Sequence, residues 1–211
     1  MQRRDLLVGS ALGLVSLTFS RLAAAWEEID VTQGVRVFRR DVAGSPLVAF
    51  KGMGYVNAPI AKICWVLADN QHRTDWVDRL KKTTVLERQS DFDFILYQHF
   101  GLPVLLSDRD YVYRAKGSRD AKTGIVTLRM HSVKHPKAPP TVGVRAQLVG
   151  SSYTLIPKGK QTLVIVEIQT DPKGALPAWL VNLIQKSWPS NTILALRRQV
   201  KKSFVKELEI K

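Results

Sequence analysis

The sequence is short of most of what enzymatic chemistry uses. A single cysteine, Cys64, excludes an internal disulfide and any multi-cysteine metal site. The four histidines, His72, His99, His131 and His135, match no metal signature in their spacing, and no carboxylate set completes one. A glycine-rich phosphate loop, a G-x-S-x-G elbow and a paired-carboxylate arrangement are all missing. No metal site or catalytic residue is therefore expected. Acidic residues are also few: 18 against 32 Lys and Arg, for a net charge of +14. That surplus does not decide a fold, but it favours an acidic partner surface, either anionic lipid headgroups or nucleic acid. No nucleic-acid motif accompanies the charge, so that partner is not expected. With 45% apolar and 24% charged residues over 211 positions, the chain reads as one globular domain large enough to bury a core and a cavity.

What is present begins with an address. Arg3 and Arg4 precede an apolar stretch from Leu6 to Phe19, and Ala23-Ala24-Ala25 offers a small-residue cleavage site before Trp26. Residues 1–25 read as a signal peptide, and 26–211 as the mature domain, periplasmic or otherwise exported. The arginine pair resembles a twin-arginine signal, although Asp5 follows it and no Ser or Thr precedes it. An ordinary secretory signal and a retained anchor stay open.

Along the mature chain, 26–34 reads as a lead-in or helix tail. Strands follow at 35–39 and 47–56. Asn57 and Pro59 open a helix on which Ile60, Ile63, Cys64 and Leu67 form one apolar face, giving Cys64 a core role. Six more strands are expected at 83–88, 91–100, 110–116, 124–132, 143–155 and 161–170. From Leu176 to about Leu208 the pattern is one long helix, kinked near Trp188 by Pro189. Short turns between strands imply an antiparallel sheet, and the long helix is the cover available for its apolar face.

Four local stretches resemble the START family of lipid-transfer domains. They are Arg73-Thr74-Asp75-Trp76, Ser107-Asp108-Arg109-Asp110-Tyr111-Val112-Tyr113, Gly143-Val144-Arg145, and Asp171-Pro172-Lys173-Gly174 with Leu176-Pro177-Ala178-Trp179-Leu180. The resemblance implies an α+β helix-grip fold, a curved antiparallel sheet around a C-terminal helix with a hydrophobic tunnel between them. It also implies a single bound lipid and no cofactor. Its gate would be the proline loop 135–141, with Pro139, Pro140 and the adjoining Val142 moving against the helix. Lys134 and Lys137 beside these prolines suit transient contact with an anionic membrane.

Headgroup residues carry over only in part. The phosphate-holding arginine of the phosphatidylcholine-binding relatives matches Arg73. Of the three aromatic positions of their choline cage, one matches Tyr111 and the others fall at Leu96 and Val149; a polar phosphate contact falls at Ser151. One tyrosine with Leu and Val makes no cation cage. The arginine of the sterol-binding members falls at Ala115, beside an outward Arg114. The expected tunnel thus has few charges and suits a sterol, triterpenoid, carotenoid or acyl lipid with one hydroxyl. Gln98, Tyr111, Tyr113, Gln147 and Ser151 are its candidate partners, and Trp179 and Leu183 line the tunnel from the helix. Arg109-Asp110 is expected to be a structural ion pair. Arg197, Arg198, Lys201, Lys202 and Lys206 form a basic face that can dock on anionic lipid. The chain is expected to act as a monomer. The alternative is a helix-grip enzyme of the aromatase/cyclase type, which requires acid–base groups such as Tyr97, His99 or Asp110 in the tunnel.

Overall fold

The computed structural model describes residues 25–103 and 106–210. The expected leader thus lies outside the described residues, save Ala25. Three strands open the chain, β1 (Glu27–Thr32), β2 (Val35–Asp41) and β3 (Val48–Val56). The first stands where a helical lead-in was expected. Gln33 and Gly34 take φ of 49° and 73°, the backbone that a two-residue hairpin turn requires, and Thr32 pairs with Val35 across it. Glu27, Glu28 and Asp30 make β1 a charged edge.

Helix α1 (Ile60–Ala68) buries Ile63, Cys64, Val66 and Leu67. Pro59, rather than Asn57, stands at its N-cap. A 3-10 turn, Arg73–Asp75, follows. The chain then runs through β4 (Leu80–Ser90), β5 (Asp93–Phe100), β6 (Arg109–Arg119) and β7 (Val126–Ser132). The short β8 (Val144–Arg145) and β9 (Gln147–Leu148) precede β10 (Ser151–Lys158), β11 (Gln161–Ile168) and β12 (Thr170–Asp171). In space the large sheet runs β1-β2-β3-β11-β10-β7-β6-β5-β4, so β11 joins the end of the strand series back to its start. Every pairing along this path is antiparallel; β8 alone lies parallel, beside β6.

The run 143–155, expected as one strand, is three. At Val149 and Gly150 two successive N–H groups both donate to Gln169 O, at 2.9 and 3.3 Å. Two residues thus stand opposite one, which is a bulge. Side chains alternate inward at Ala146 and Leu148 before it, and at Ser151, Tyr153 and Leu155 after it.

The C-terminal helix is also divided, into α2 (Ala178–Lys186) and α3 (Trp188–Gln199). Pro189 lacks an N–H and its ring blocks the preceding turn, so the first helix stops at Ser187 and Pro189 enters the first turn of the next. Helix α3 lies on β3. There Gly54, without a side chain, lets Ile193 and Val35 close over the strand. Arg197 fastens the far end, donating from Nε to Tyr55 O (2.8 Å) and from Nη1 to Gln33 O (2.7 Å). The helix stops at Gln199, short of the expected Leu208. The tail crosses to α1 instead, where Leu208 N–H donates to Ala61 O and Phe204 stacks on His72 at 3.9 Å. No described helix is long and apolar enough to cross a membrane.

Candidate functional site

Between the concave side of the sheet and α2 lies a cavity of about 130 Å³. Its floor comes from alternate residues of adjacent strands: Gln98 and Phe100 on β5, Arg109, Tyr111 and Tyr113 on β6, and Met130 on β7. Leu148, Ser151, Tyr153 and Ile168 continue it, and Val181, Ile184, Gln185 and Trp188 form the roof. Aromatic rings meet edge to face at one side, Phe100 with Tyr111 (5.6 Å between centroids) and Phe100 with Trp188 (6.3 Å).

Arg73 enters this cavity from the turn after α1. It is 7% exposed, and its Nη2 donates to Leu67 O, one of the free carbonyls at the end of α1. A cation near a helix C-terminus is favoured there. Its Nε is buried and has no hydrogen-bond partner among the described residues. None of the described carboxylates pairs with it, and Asp78, the acid on the cavity wall, accepts from Asn191 Nδ2 at 3.1 Å. A buried, unpaired guanidinium is costly and normally finds an anion. Arg109 differs: it donates to the carbonyls of Ser107, Pro172 and Lys173, so its donors are spent on the chain.

The hydroxyls beside Arg73 are neutral. Burial raises the Tyr113 and Tyr153 phenols, against a smaller downward pull from Arg73. Burial also pushes Tyr111 up to about 12, opposed by its hydrogen bond with Thr170 and by Arg109. Tyr113 donates to Gln98 Oε1 at 2.9 Å.

Of the residues singled out in the sequence, Arg73, Gln98, Tyr111, Tyr113 and Ser151 share this cavity. The others do not border it. Leu96 points to the same face but sits deeper, fully enclosed in the core around α1. Gln147 and Val149 are exposed, because before the bulge it is Leu148 that faces inward, and only after it does Ser151 return to the inner face. Trp179 is 67% exposed on α2. Leu183, 62% exposed, faces an outer groove between α2 and the 101–107 loop, lined by Pro103, Leu106 and Leu180. Arg79 and Ile184 border both the groove and the cavity.

The proline loop lies on the opposite, convex side. Val142 N–H donates to Asp110 Oδ2 (2.7 Å), Arg145 Nη2 donates to Pro139 O (2.8 Å), and His135 bonds Glu87 at 3.2 Å. Pro139, Pro140 and Val142 therefore border neither the cavity nor the outer groove. Asp110 pairs with Arg145 rather than with Arg109, and accepts from Tyr97. Tyr97, His99 and Asp110 all alternate to this convex side. Gln185, Thr170 and Tyr153 were not singled out in the sequence. Tyr153 was legible as the residue two beyond Ser151 on one strand; nothing local marked Gln185 or Thr170.

The START domain profile matches residues 23–203. A Pseudomonas aeruginosa protein described as uncharacterized is 26% identical over 207 residues, covering 95% of this chain and 97% of its own. Mouse phosphatidylcholine transfer protein is 27% identical over 173 residues, 80% of each chain. Among solved structures, a STAR-related lipid transfer protein fragment from Xanthomonas axonopodis superposes with a TM-score of 0.75 at 26% identity, over 84% of this chain and 99% of that one.

Proposed function

The chain belongs to the START family, whose characterised relatives transfer lipids, and on that premise we propose that it carries one acyl lipid with the anionic group held by Arg73. The observation that carries the reading is the buried Arg73 Nε, which has no partner among the described residues and belongs to a side chain that lines the cavity. A charge-assisted bond to phosphate or carboxylate satisfies it. A sterol, triterpenoid or carotenoid leaves it unpaired, so the cavity's charge argues against the neutral guests considered from the sequence. The convex placement of Tyr97, His99 and Asp110 argues against the cyclase alternative, which needs them inside.

A cavity of about 130 Å³ is close to one that holds benzene, whereas lipid-sized pockets run from about 300 Å³ upward. Loading therefore requires α2 to lift. It is the cheap element to move: Val181 is its one fully buried residue, and a break at Ser187 separates it from α3. Trp179 and Leu183 on its outer side, with Pro103 and Leu106, form the apolar rim that meets the membrane. Transport takes place outside the cytoplasm if the leader is used; N-terminal sequencing of the secreted form should begin at Trp26.

Organic-solvent extraction of the purified protein, read by mass spectrometry, should yield an acyl lipid that carries a phosphate or carboxylate, in near-stoichiometric amount. Arg73→Ala and Tyr111→Ala should reduce it far more than Lys206→Ala. A lipid with no anionic group, or equal effects of the three changes, overturns the reading.

A further inference from the structure

Beside Tyr111 the cavity holds a second unsatisfied group. Gln185 Oε1 is buried with no partner among the described residues, while its Nε2 donates to Thr170 Oγ1 at 2.6 Å. Thr170 and Tyr111 share the cavity wall, and the Thr170 hydroxyl is near enough to pull the Tyr111 phenol down against burial. A hydroxyl that accepts from Gln185 has its own hydrogen left for Tyr111. The donor from Gln185 Nε2 is thus spent on Thr170, whose hydrogen is directed toward the Tyr111 oxygen. With the amide in this orientation Oε1 is a bare acceptor, and the Tyr111 O–H is left free to donate.

One buried acceptor and one donor stand together, next to aromatic edges. A hydroxyl satisfies both at once, because it gives one hydrogen and accepts another. An ammonium satisfies Gln185 and leaves the Tyr111 hydrogen unused. A trimethylammonium satisfies neither. Tyr111 and Tyr113 are two residues apart on β6, so this pair lies roughly 7 Å along the strand from the level at which Arg73 acts.

We propose that Gln185, Thr170 and Tyr111 form a headgroup subsite for a hydroxyl, so that the carried lipid has an anionic group and a hydroxyl several ångströms from it. The inference rests on the assignment of Arg73 as the anion site. Hydroxylated phosphodiester headgroups have this layout, and the two subsites together read the anion and the alcohol on one molecule.

The test loads delipidated protein from vesicles that contain equal parts of phosphatidylglycerol, phosphatidylmethanol, phosphatidylethanolamine and phosphatidylcholine with matched acyl chains. Native mass spectrometry reads the bound species. Phosphatidylmethanol has the charge of phosphatidylglycerol and no headgroup hydroxyl. Phosphatidylglycerol should exceed it by about three- to tenfold, the effect of one or two net hydrogen bonds. Gln185→Leu should remove that preference and keep phosphatidylmethanol loading. Tyr111→Phe, which keeps the ring, provides a second variant should the first fold poorly. Equal loading of the two anionic lipids by the unaltered protein overturns the subsite and leaves the Arg73 reading standing. A preference for phosphatidylethanolamine or phosphatidylcholine overturns it in favour of an ammonium or an aromatic site. No loading of any lipid overturns the function itself.

Discussion

Gly52 lies directly beneath Pro189: a Cβ added to the glycine would stand 2.8 Å from the proline Cβ and 3.2 Å from its backbone carbonyl carbon. Neither atom belongs to a flexible side chain, so strand and helix must separate to admit a methyl. Gly52→Ala should therefore destabilise the protein by about 1–3 kcal/mol, the usual cost of overpacking a tight contact. Gly44→Ala serves as a comparison of another kind. That site is open, and its φ of +75° makes the cost conformational instead. Urea titration of both variants checks the expectation; a Gly52→Ala curve that overlies the parent would refute the close packing of α3 on β3.

Asp108 ties the start of β6 to β4, β5 and Leu102. It accepts from Lys81 Nζ (2.8 Å), His99 Nε2 (2.7 Å) and Leu102 N–H (3.2 Å). Lys81 above all, with His99 and the Leu102 amide, lowers its carboxyl from 3.8 to about 2 despite opposing burial. A folded-state value below the unfolded one stabilises at pH above about 4 and is lost as pH falls toward 2. The side chain is partly solvated, so the contribution is on the order of 1 kcal/mol. Asp108→Asn should lose that much at pH 7, and parent and variant should converge near pH 2. Denaturant unfolding followed at both pH values decides it.

Membrane contact through α2 makes a prediction that contact through the proline loop does not. Trp179→Ser with Leu183→Ser should slow vesicle-to-vesicle lipid transfer about tenfold or more, since two large side chains lose roughly 1.5–3 kcal/mol each of burial on docking. Bound lipid per protein should stay unchanged, because neither side chain borders the cavity. Pro140→Ser should leave transfer as it is. The reverse pattern in a fluorescent transfer assay restores the gate to the 135–141 loop.

Cys64 is buried against the core, and burial pushes its thiol up to about 12. At pH 8 it is protonated and inaccessible, and alkylation should proceed only through opening of the fold. A labelling rate matching that of a free thiol would show that α1 is not packed as described.

Most of the architecture was legible because periodicity survives packing. The apolar positions 63, 64 and 67 of α1 and the alternation on β5, β6 and β11 are direct readings of which side is buried. The errors have local causes. Gln33-Gly34 is a hairpin turn whose first strand is mostly polar, so no apolar alternation announced β1. Val149-Gly150 is a bulge, and a bulge shifts inward and outward positions without altering composition; Val149, carried over from the choline cage, and Gln147, taken as a hydroxyl partner, both lie on the outward side before it. The Trp179 and Leu183 side chains follow a core-like helical pattern yet face outward, since α2 is covered on one side only. Asp110 was paired in the sequence with its neighbour Arg109, although successive strand residues point to opposite faces. Its partner, Arg145, comes from a segment that sequence distance does not connect to it.

Arg197 anchors α3 at Tyr55 and Gln33 with bonds of 2.8 and 2.7 Å, whereas α2, on its side of the Ser187 break, is held by Asn182 at 3.3 and 3.4 Å from Val48 N–H and Pro46 O and by Gln185 on Thr170. The two halves of the C-terminal helix should then have separate lifetimes. Amide hydrogens of α2 should exchange through brief local excursions, and those of α3 only when the whole domain unfolds. Once its Asn182 and Gln185 bonds are released, a nine-residue rod about 14 Å long, swinging on one end as proposed, would open a slot the width of acyl chains with the ten-stranded sheet below it left paired. Cargo exchange is thereby uncoupled from global stability, and a mutation that strengthens the grip of α3 need not slow release.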